Sequence, residues 1–524
     1  MIKDALIFDG NSLAPVKRDL GLLKDRIAQM GEISGEEGKE VIEAEGLAAS
    51  PGFIDMHTHS DFNPFVYPNL GNKVLQGVTT EVVGNCGMSA APVEGPLEEE
   101  MANIWRREGV EIPKAVTWKT FKEYKSDTEF QGLETNFLSL AGHGNIHFSI
   151  LGSGPRTPEP VEMEAMKKML GAALDEGAIG ISFGLTYLPG GFASREEIVS
   201  LCEVAARKNK LCAFHMRSEG RALIEAIEEV IDVARKTHAH VHISHLKAAG
   251  EKNWPKIEEA FQKIEAARGE GLEITADAYP YTASFAELGV ILPDSLYQDP
   301  DRVHRFENPD EKVKILGTLR DYFSTNPASW DKIRVATVTL EKNRSYQGKT
   351  LAEISTALGW TPEAVLMNLL GEEEFRVSAF FFSQSEAVAE KVLSKPYVVI
   401  GSDSIADGSS TPHPRAFGTF SKFLAACSKK GGNVLTDPCW GAAIQKMTGL
   451  PASMLGLKDR GRIGTGLYAD LVLFDPKALK DKADYDNPKV PPEGIVWVFV
   501  NGRPTVREGK YEPAHSGVFL SPEK

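Results

Sequence analysis

The stretch PGFIDMHTHSD, Pro51 to Asp61, sets two histidines one residue apart at the end of an apolar run, with a carboxylate close behind. In an extended strand residues i and i+2 share a face, so His57 and His59 can aim both imidazoles at one point. Two neutral imidazoles on one face suit a metal ion. Two ordinary polar residues at a strand end would look the same, and the rest of the chain decides between these readings.

The same form, an apolar or β-branched run ending in polar residues, recurs along the middle of the chain. It appears at GFIDMH, VTTEVVG, NFLSLAG, AIGISFG, LCAFH, HVHISH, LEITADA and YVVIGSD, and most of these runs precede a helix-period stretch. One such helix, SREEIVSLCEVAARKN, opens with Ser194 and Glu197 at capping-box spacing and should bury Ile198, Leu201, Cys202 and Ala205 on one face. Eight strands with helical crossovers fit an α/β fold of the (β/α)8 barrel kind better than an open doubly wound sheet. Such a barrel makes a demand: the polar residues ending its strands should form one constellation.

The two ends of the chain have another texture. ALIFDG, DRIAQMG and VIEAEGL at the start, and ADLVLFDP and GIVWVFVNGRP at the end, are short strand-like runs broken by Gly and Asp. They predict one small β domain from residues 1–52 and 456–524, with the barrel, 53–455, inserted between them. From about Ala283 to Leu370 the barrel rhythm lapses. A structureless loop of that length is improbable, so this stretch should form a subdomain on the active-site side, placed as a lid. RVSAFFFSQSE, just after it, competes with YVVIGSD for the place of the eighth strand.

A chain of 524 residues implies about two domains, and 42% hydrophobic with 25% charged residues is an ordinary globular balance. The formal charge of −15, without a Lys/Arg cluster, argues against nucleic-acid and anionic-membrane partners. An anionic substrate must therefore meet local positive charge. The start, MIKDALIFDG, reads as a strand and has no signal-peptide form, and no apolar run is long enough to span a bilayer, so a cytoplasmic location is expected. Five scattered cysteines without CxxC spacing argue against a disulfide framework or a zinc ribbon.

The strand ends supply the constellation. VVGNCGMS carries Cys86 among glycines, CAFHMRSE carries His215, VHISHLK carries His245 and VVIGSDS carries Asp403; all join His57 and His59 on one rim. Thiolate, imidazole and carboxylate together suit zinc better than magnesium or calcium. Six ligands exceed one tetrahedral site and suit two neighbouring ones of unequal affinity, with Cys86 joining or bridging them.

As a set these residues resemble a known family. PGFIDMHTHSD is similar to the first-strand metal motif of the amidohydrolase superfamily, and GRIGTGLYADLVLFDP and VFVNGRP to its small β-sandwich. Within it, VVGNCGMS, GISFGLTYLPGG, FHMRSEG, ISHLK, DAYPYTA and GSDS with PHPRAFGTF resemble the N-acyl-D-amino-acid deacylases, or D-aminoacylases. The resemblance implies a distorted (β/α)8 barrel with a β-sandwich, and zinc-dependent hydrolysis of N-acyl-D-amino acids to a carboxylate and a D-amino acid. It implies a tight zinc on Cys86, His215 and His245, a weaker second site on His57, His59 and Asp403, and a mobile cover, which Ala283 to Gly348 fits. Many relatives acting on cyclic amides bridge two metals with a carboxylated lysine; GAIGISFGLTY offers no lysine there.

In this reading Asp403 serves the metal-activated water as general base and the leaving nitrogen as general acid, with Asp277 in ITADAYPY as its competitor. Lys247 and Arg415, with Tyr279, lie just beyond strand ends and are the candidates for the substrate carboxylate; the resemblance points to the same three. Arg217 in HMRSEG is as open to a pairing with Glu219 or another acid as to a contact with substrate. His143, ending the third strand, is a further candidate for a hydrogen bond to substrate. His238, His240 and His242 precede the rim and read as structural or exposed, His413, beside Arg415 in a Pro-rich loop, is equally open to a turn role, and GLTYLPGG reads as a backbone loop bordering the pocket. Two alternatives remain: an amidohydrolase acting on a cyclic amide or another acylated amine, hydantoinase-like or dihydroorotase-like, and a non-catalytic scaffold of the same fold.

Overall fold

The computed structural model describes residues 1–34, 38–107, 118–152, 154–299, 301–405, 411–429 and 431–522. All eight sequence runs are strands: β1 (Phe53–Asp55), β2 (Val78–Val83), β3 (Asn136–Ser139, resuming at Ala141–Gly142), β4 (Gly180–Gly184), β5 (Leu211–His215), β6 (His240–Ile243), β7 (Ile274–Ala278) and β8 (Val398–Ile400). Each pairs with the next in parallel from β1 to β8. The barrel closes where the Met56 N–H donates to the Ile400 carbonyl (3.2 Å) and the Asp403 N–H to that of His57 (2.7 Å). Strands buried on both faces need continuous apolar runs. That is why the pattern was legible.

The break in β3 is the distortion. Asn136–Ser139 pairs with β2 and Ala141–Gly142 with β4, and Leu140 stands between the two ladders, its N–H still on the Val83 carbonyl (3.0 Å). The end of β2 presses close there: a Cβ on Gly84, at φ +76°, would stand 2.2 Å from the Leu140 carbonyl oxygen. Only glycine fits.

Amphipathic helices cover the barrel. In Leu223–Thr237, Leu223, Ala226, Ile227, Val230, Ile231 and Ala234 are buried at helical spacing. In Arg195–Arg207, Ile198, Leu201, Cys202 and Ala205 are buried as the sequence pattern predicts, and the Ser194 hydroxyl accepts the Glu197 N–H. Glu197 does not return the capping-box bond; its carboxylate turns inward to His143 and His147.

Both ends of the chain enter one nine-stranded sheet. Its seam is Ala48–Pro51, parallel to Ile2–Ile7 on one side and antiparallel to Leu471–Phe474 on the other. Leu471 and Leu473 pack with Ile2, Leu20, Ile27 and Phe499, so strands from both ends share one apolar cluster and the sheet must curl over it. Val472 and Phe474, on the other face, join the barrel's core. Pro51 then leads through Gly52 into β1, tying the sheet to the first metal motif.

Between β7 and β8 stands a three-stranded antiparallel sheet of Ser284–Glu287, Ile333–Thr337 and Ser378–Phe381. Its apolar cluster, from Leu288 to Ala379, is separate from the barrel's and runs past residue 348. RVSAFFFSQSE is therefore a strand of this insert, and YVVIGSD supplies β8. One correction concerns cysteine: Cys427 and Cys439 form a disulfide. The packing of helix Arg415–Lys429 against helix Pro438–Met447 brings their Cα atoms to 5.7 Å, an approach that sequence spacing does not reveal. No helix of the described residues is long and apolar enough to cross a membrane.

Candidate metal centre

The carboxyl ends of β1, β2, β5, β6 and β8 bring His57, Cys86, His215, His245 and Asp403 to one buried place. Cys86 Sγ lies 3.3 Å from His57 Nε2 and 3.6 Å from His245 Nε2. Asp403 Oδ1 lies 3.5 Å from His57 Nε2 and 3.3 Å from His59 Nε2. The His215 ring stands edge-on to that of His245 at 4.5 Å, and its buried Nδ1 has no partner among the described residues. Metal–ligand bonds of about 2.0–2.3 Å in a tetrahedron put ligand atoms about 3.5 Å apart. These separations have that value, and with the unpartnered Nδ1 and the soft donor set the residues fit zinc.

Three of the candidate ligands, Cys86 (φ +54°), His245 (+37°) and Asp403 (+50°), have left-handed backbones. Each such non-glycine residue costs about 1–2 kcal/mol. Specific bonds hold them. The Ser182 hydroxyl on β4 accepts the Gly87 N–H (3.0 Å) and donates to the Gly84 carbonyl (2.5 Å), clamping the Cys86 turn. Asp277 accepts the His245 backbone N–H (3.0 Å).

Asp277 and Glu219 are the residues that sequence reasoning undervalued. Asp277 Oδ2 lies 3.2 Å from His57 Nδ1 and 2.9 Å from His242 Nε2. Glu219 Oε1 lies 2.6 Å from His245 Nδ1. With each Nδ1 facing a carboxylate, both rings turn Nε2 toward Cys86, the nitrogen a metal would take once its proton is displaced. Asp277 stands behind the His57 ring, fully buried. Arg217 pairs with Glu229 (3.1 Å), leaving Glu219 to His245 and Lys247.

The charges match. Burial opposes the thiolate of Cys86, yet His57 and hydrogen bonds from His215 and His245 hold its pKa well below the ordinary value. Burial likewise opposes the Asp403 carboxylate; Arg415, His245 and His59 outweigh it and hold its pKa well below the usual range. Burial works against the charged imidazole of His59, but Asp403 and Cys86 raise its pKa to about 9.

Lys247, Tyr279 and Arg415 meet on one wall. The Arg415 guanidinium lies 4.7 Å and the Lys247 ammonium 5.8 Å from the Tyr279 ring centre. Arg415 Nη1 is 2.8 Å from Asp403 Oδ2, and Lys247 Nζ is 2.5 Å from Glu219 Oε1. Tyr187, from GLTYLPGG, borders the site with its ring 4.7 Å from that of His215. His413 does serve a turn: its Nδ1 accepts the Arg415 N–H and its Nε2 meets the Ala283 carbonyl, each at 3.0 Å.

His143 lies elsewhere. It is fully buried, stacked on Phe183, with Nε2 2.7 Å from Glu197 Oε1, which also lies 2.8 Å from His147 Nδ1. These are hydrogen-bond distances, shorter than ligand spacings about an ion, and the rings' other nitrogens have no partner among the described residues. Metal-bound imidazoles almost always have one. The trio is a buried anchor between helices His143–Leu151 and Arg195–Arg207. A strand-end histidine gives the same sequence signal in either role.

The chain matches the model of the amidohydrolase family over residues 40–285 and 302–506. It is 31% identical over 502 residues to the N-acyl-D-glutamate deacylase of Alcaligenes xylosoxydans xylosoxydans, covering 96% of this chain and 92% of the relative. It is 29% identical over 522 residues to the D-aminoacylase of the same organism, covering 99% and 97%. Among solved structures, the N-acyl-D-glutamate deacylase of Bordetella bronchiseptica, complexed with zinc and a phosphonate that mimics the tetrahedral intermediate, matches with TM-score 0.82 at 30% identity over 99% of this chain and 98% of the other. With the strand order, the rim of ligands and these likenesses in agreement, the chain belongs to the amidohydrolase family, among its N-acyl-D-amino-acid deacylases.

Proposed function

We propose that this protein hydrolyses the amide bond of N-acyl-D-amino acids, releasing a carboxylate and a D-amino acid, with zinc as cofactor. The observation that carries the proposal is the meeting of His57, Cys86, His245 and Asp403 around one point, beside a wall of two cations in a chain of net charge −15. Cys86, His215 and His245 would hold the tight ion, and His57, His59 and Asp403 a weaker second one. Bound zinc polarises a carbonyl oxygen and lowers the pKa of water from 15.7 to about 7.

The side chains do the rest. Asp403, kept anionic, accepts a proton from the attacking water and delivers one to the departing nitrogen. Arg415 holds the other carboxylate oxygen of Asp403 and so keeps it aimed. Lys247 and Arg415, with Tyr279 between them, receive the substrate carboxylate. β4 carries no lysine to bridge two metals, which sets the site apart from the cyclic-amide reading.

The domain division follows the same logic: a β domain of 1–52 and 456–524, a barrel of 53–455 and a covering insert within it. A cytoplasmic location belongs to this proposal, and the Cys427–Cys439 pair is its check. A stable disulfide in protein isolated from thiol-blocked cells would argue for an oxidising compartment instead.

The test is amine release from paired D- and L-N-acetyl amino acids by chelator-stripped protein, with and without added zinc. Release from the D series that needs zinc is expected. Equal rates on both series, or release without metal, would overturn the proposal.

A further inference from the structure

Lys73 lies between β1 and β2, buried to 3% exposure behind the rim, and the chemistry above gives it no task. Its ammonium donates to Asp55 Oδ2 (2.5 Å), Ser404 Oγ (2.8 Å) and Ser402 Oγ (3.0 Å), and stands 3.5 Å from Glu81 Oε2. All three donors are thus engaged. Asp55 Oδ1 in turn accepts the backbone N–H groups of Ser402 (2.8 Å) and His57 (3.2 Å). Glu81 Oε2 accepts the hydroxyls of Ser60 (2.8 Å) and Thr58 (3.2 Å). Ser402 and Ser404 flank Asp403, and Thr58 and Ser60 flank His59. One ammonium and two carboxylates therefore grip the neighbours of His57, His59 and Asp403 and touch no ligand side chain.

We infer that Lys73 is a positioning residue for the weaker metal position, holding Asp403 in its left-handed backbone and setting the spacing of His57 and His59 against it. The inference rests on the proposed assignment of those three residues to that position. Arg415 fixes where the Asp403 carboxylate points, whereas the Lys73 network fixes the backbone that carries it. A buried ion pair is weak evidence of stability, since desolvation offsets attraction. What this one supplies is registry: it couples the end of β1 to the loop after β8, where the His57 carbonyl accepts the Asp403 N–H and the Ser404 carbonyl the His59 N–H. Outer groups of this kind typically govern metal affinity by about 10- to 100-fold.

The decisive variant is the double change Ser402→Ala and Ser404→Ala, which cuts both hydroxyl links to Lys73, together with the bonds of Ser402 to Asp55 Oδ2 (2.6 Å) and the His57 carbonyl (3.3 Å), while leaving Lys73 its two carboxylates. Chelator-stripped protein is titrated with zinc alone by calorimetry. The tighter event should be unchanged, and the weaker should lose about 10- to 100-fold in affinity. In the zinc-loaded variant kcat should fall while KM for an N-acetyl-D-amino acid stays near wild type. Ser404→Ala alone should show the same pattern in smaller measure, and Lys73→Met should reproduce it in full wherever that variant folds. A weaker event of wild-type affinity in the double variant overturns the inference, whatever the activity. A wild-type chain that binds a single zinc overturns the assignment beneath it, so the two failures are told apart.

Discussion

Asp403 is held on both oxygens, by the histidines on one side and by Arg415 on the other, so its ionised state needs no metal to exist. Asp403→Asn keeps the shape and removes the base. Zinc at Cys86, His215 and His245 should stay bound while kcat drops by about 10²- to 10⁴-fold; near-wild-type turnover in that variant would count against the assignment. Lys247 pairs with Glu219 and, in the proposed function, also receives the substrate carboxylate, so Lys247→Gln should raise KM for acyl amino acids more than for a neutral anilide. Equal effects on both substrates would make its duty to Glu219 the dominant one. The imidazoles set a pH dependence. Burial and Lys247 lower the pKa of His245, but Glu219, Asp403 and Cys86 raise it to about 9, level with His59. In the metal-free chain at pH 7 both rings hold protons that zinc must displace, so affinity should climb as pH rises and level off near 9. Calorimetry in two buffers of different protonation enthalpy reads the released protons, and uptake without release between pH 6 and 8 would contradict the charge state described here.

At the scale of elements, the trio of His143, His147 and Glu197 takes the place of the return bond of a capping box, while Ser194 still caps the helix. Glu197→Ala leaves two buried imidazoles without an acceptor and should cost about 1–3 kcal/mol. Because the trio is an anchor, zinc stoichiometry should be unchanged; loss of one metal equivalent on that substitution would make it a site after all. This trio also marks how far the sequence could be read. Eight buried strands leave continuous apolar runs, so the barrel and the strand ends that carry the candidate ligands were legible from Phe53 to Asp403. The break at Leu140 was not, because it arises where the chain passes from its ladder with β2 to its ladder with β4, and the Cys427–Cys439 bridge was not, because helix packing sets it. Glu197 looked like half of a capping box, and His143 like a rim residue, since local spacing carries no information about which way a side chain turns. Asp277 and Glu219 were visible as acids near strand ends, but their choice of histidine partner belongs to the folded barrel alone.

At the scale of the whole molecule, the candidate ligands lie at positions 57, 59, 86, 215, 245 and 403, all outside the sheet and helices between Ser284 and Phe381. That insert has its own apolar core, so metal binding and insert packing draw on different contacts. Zinc at a hundredfold excess over its Kd stabilises what it binds by about 2.7 kcal/mol. If the insert is a separate cooperative unit, that gain goes to the barrel and none of it to the insert. Calorimetric melting should then show two transitions, with added zinc moving one upward and leaving the other in place. Hydrogen exchange would assign the unmoved transition to residues within 284–381. A cover that opens while the metal site stays assembled needs this independence, because opening must not cost the ligands their places. A single transition that zinc shifts as a whole would mean that the insert and barrel share one cooperative core, and the insert would then be a fixed wall of the pocket instead of a moving cover.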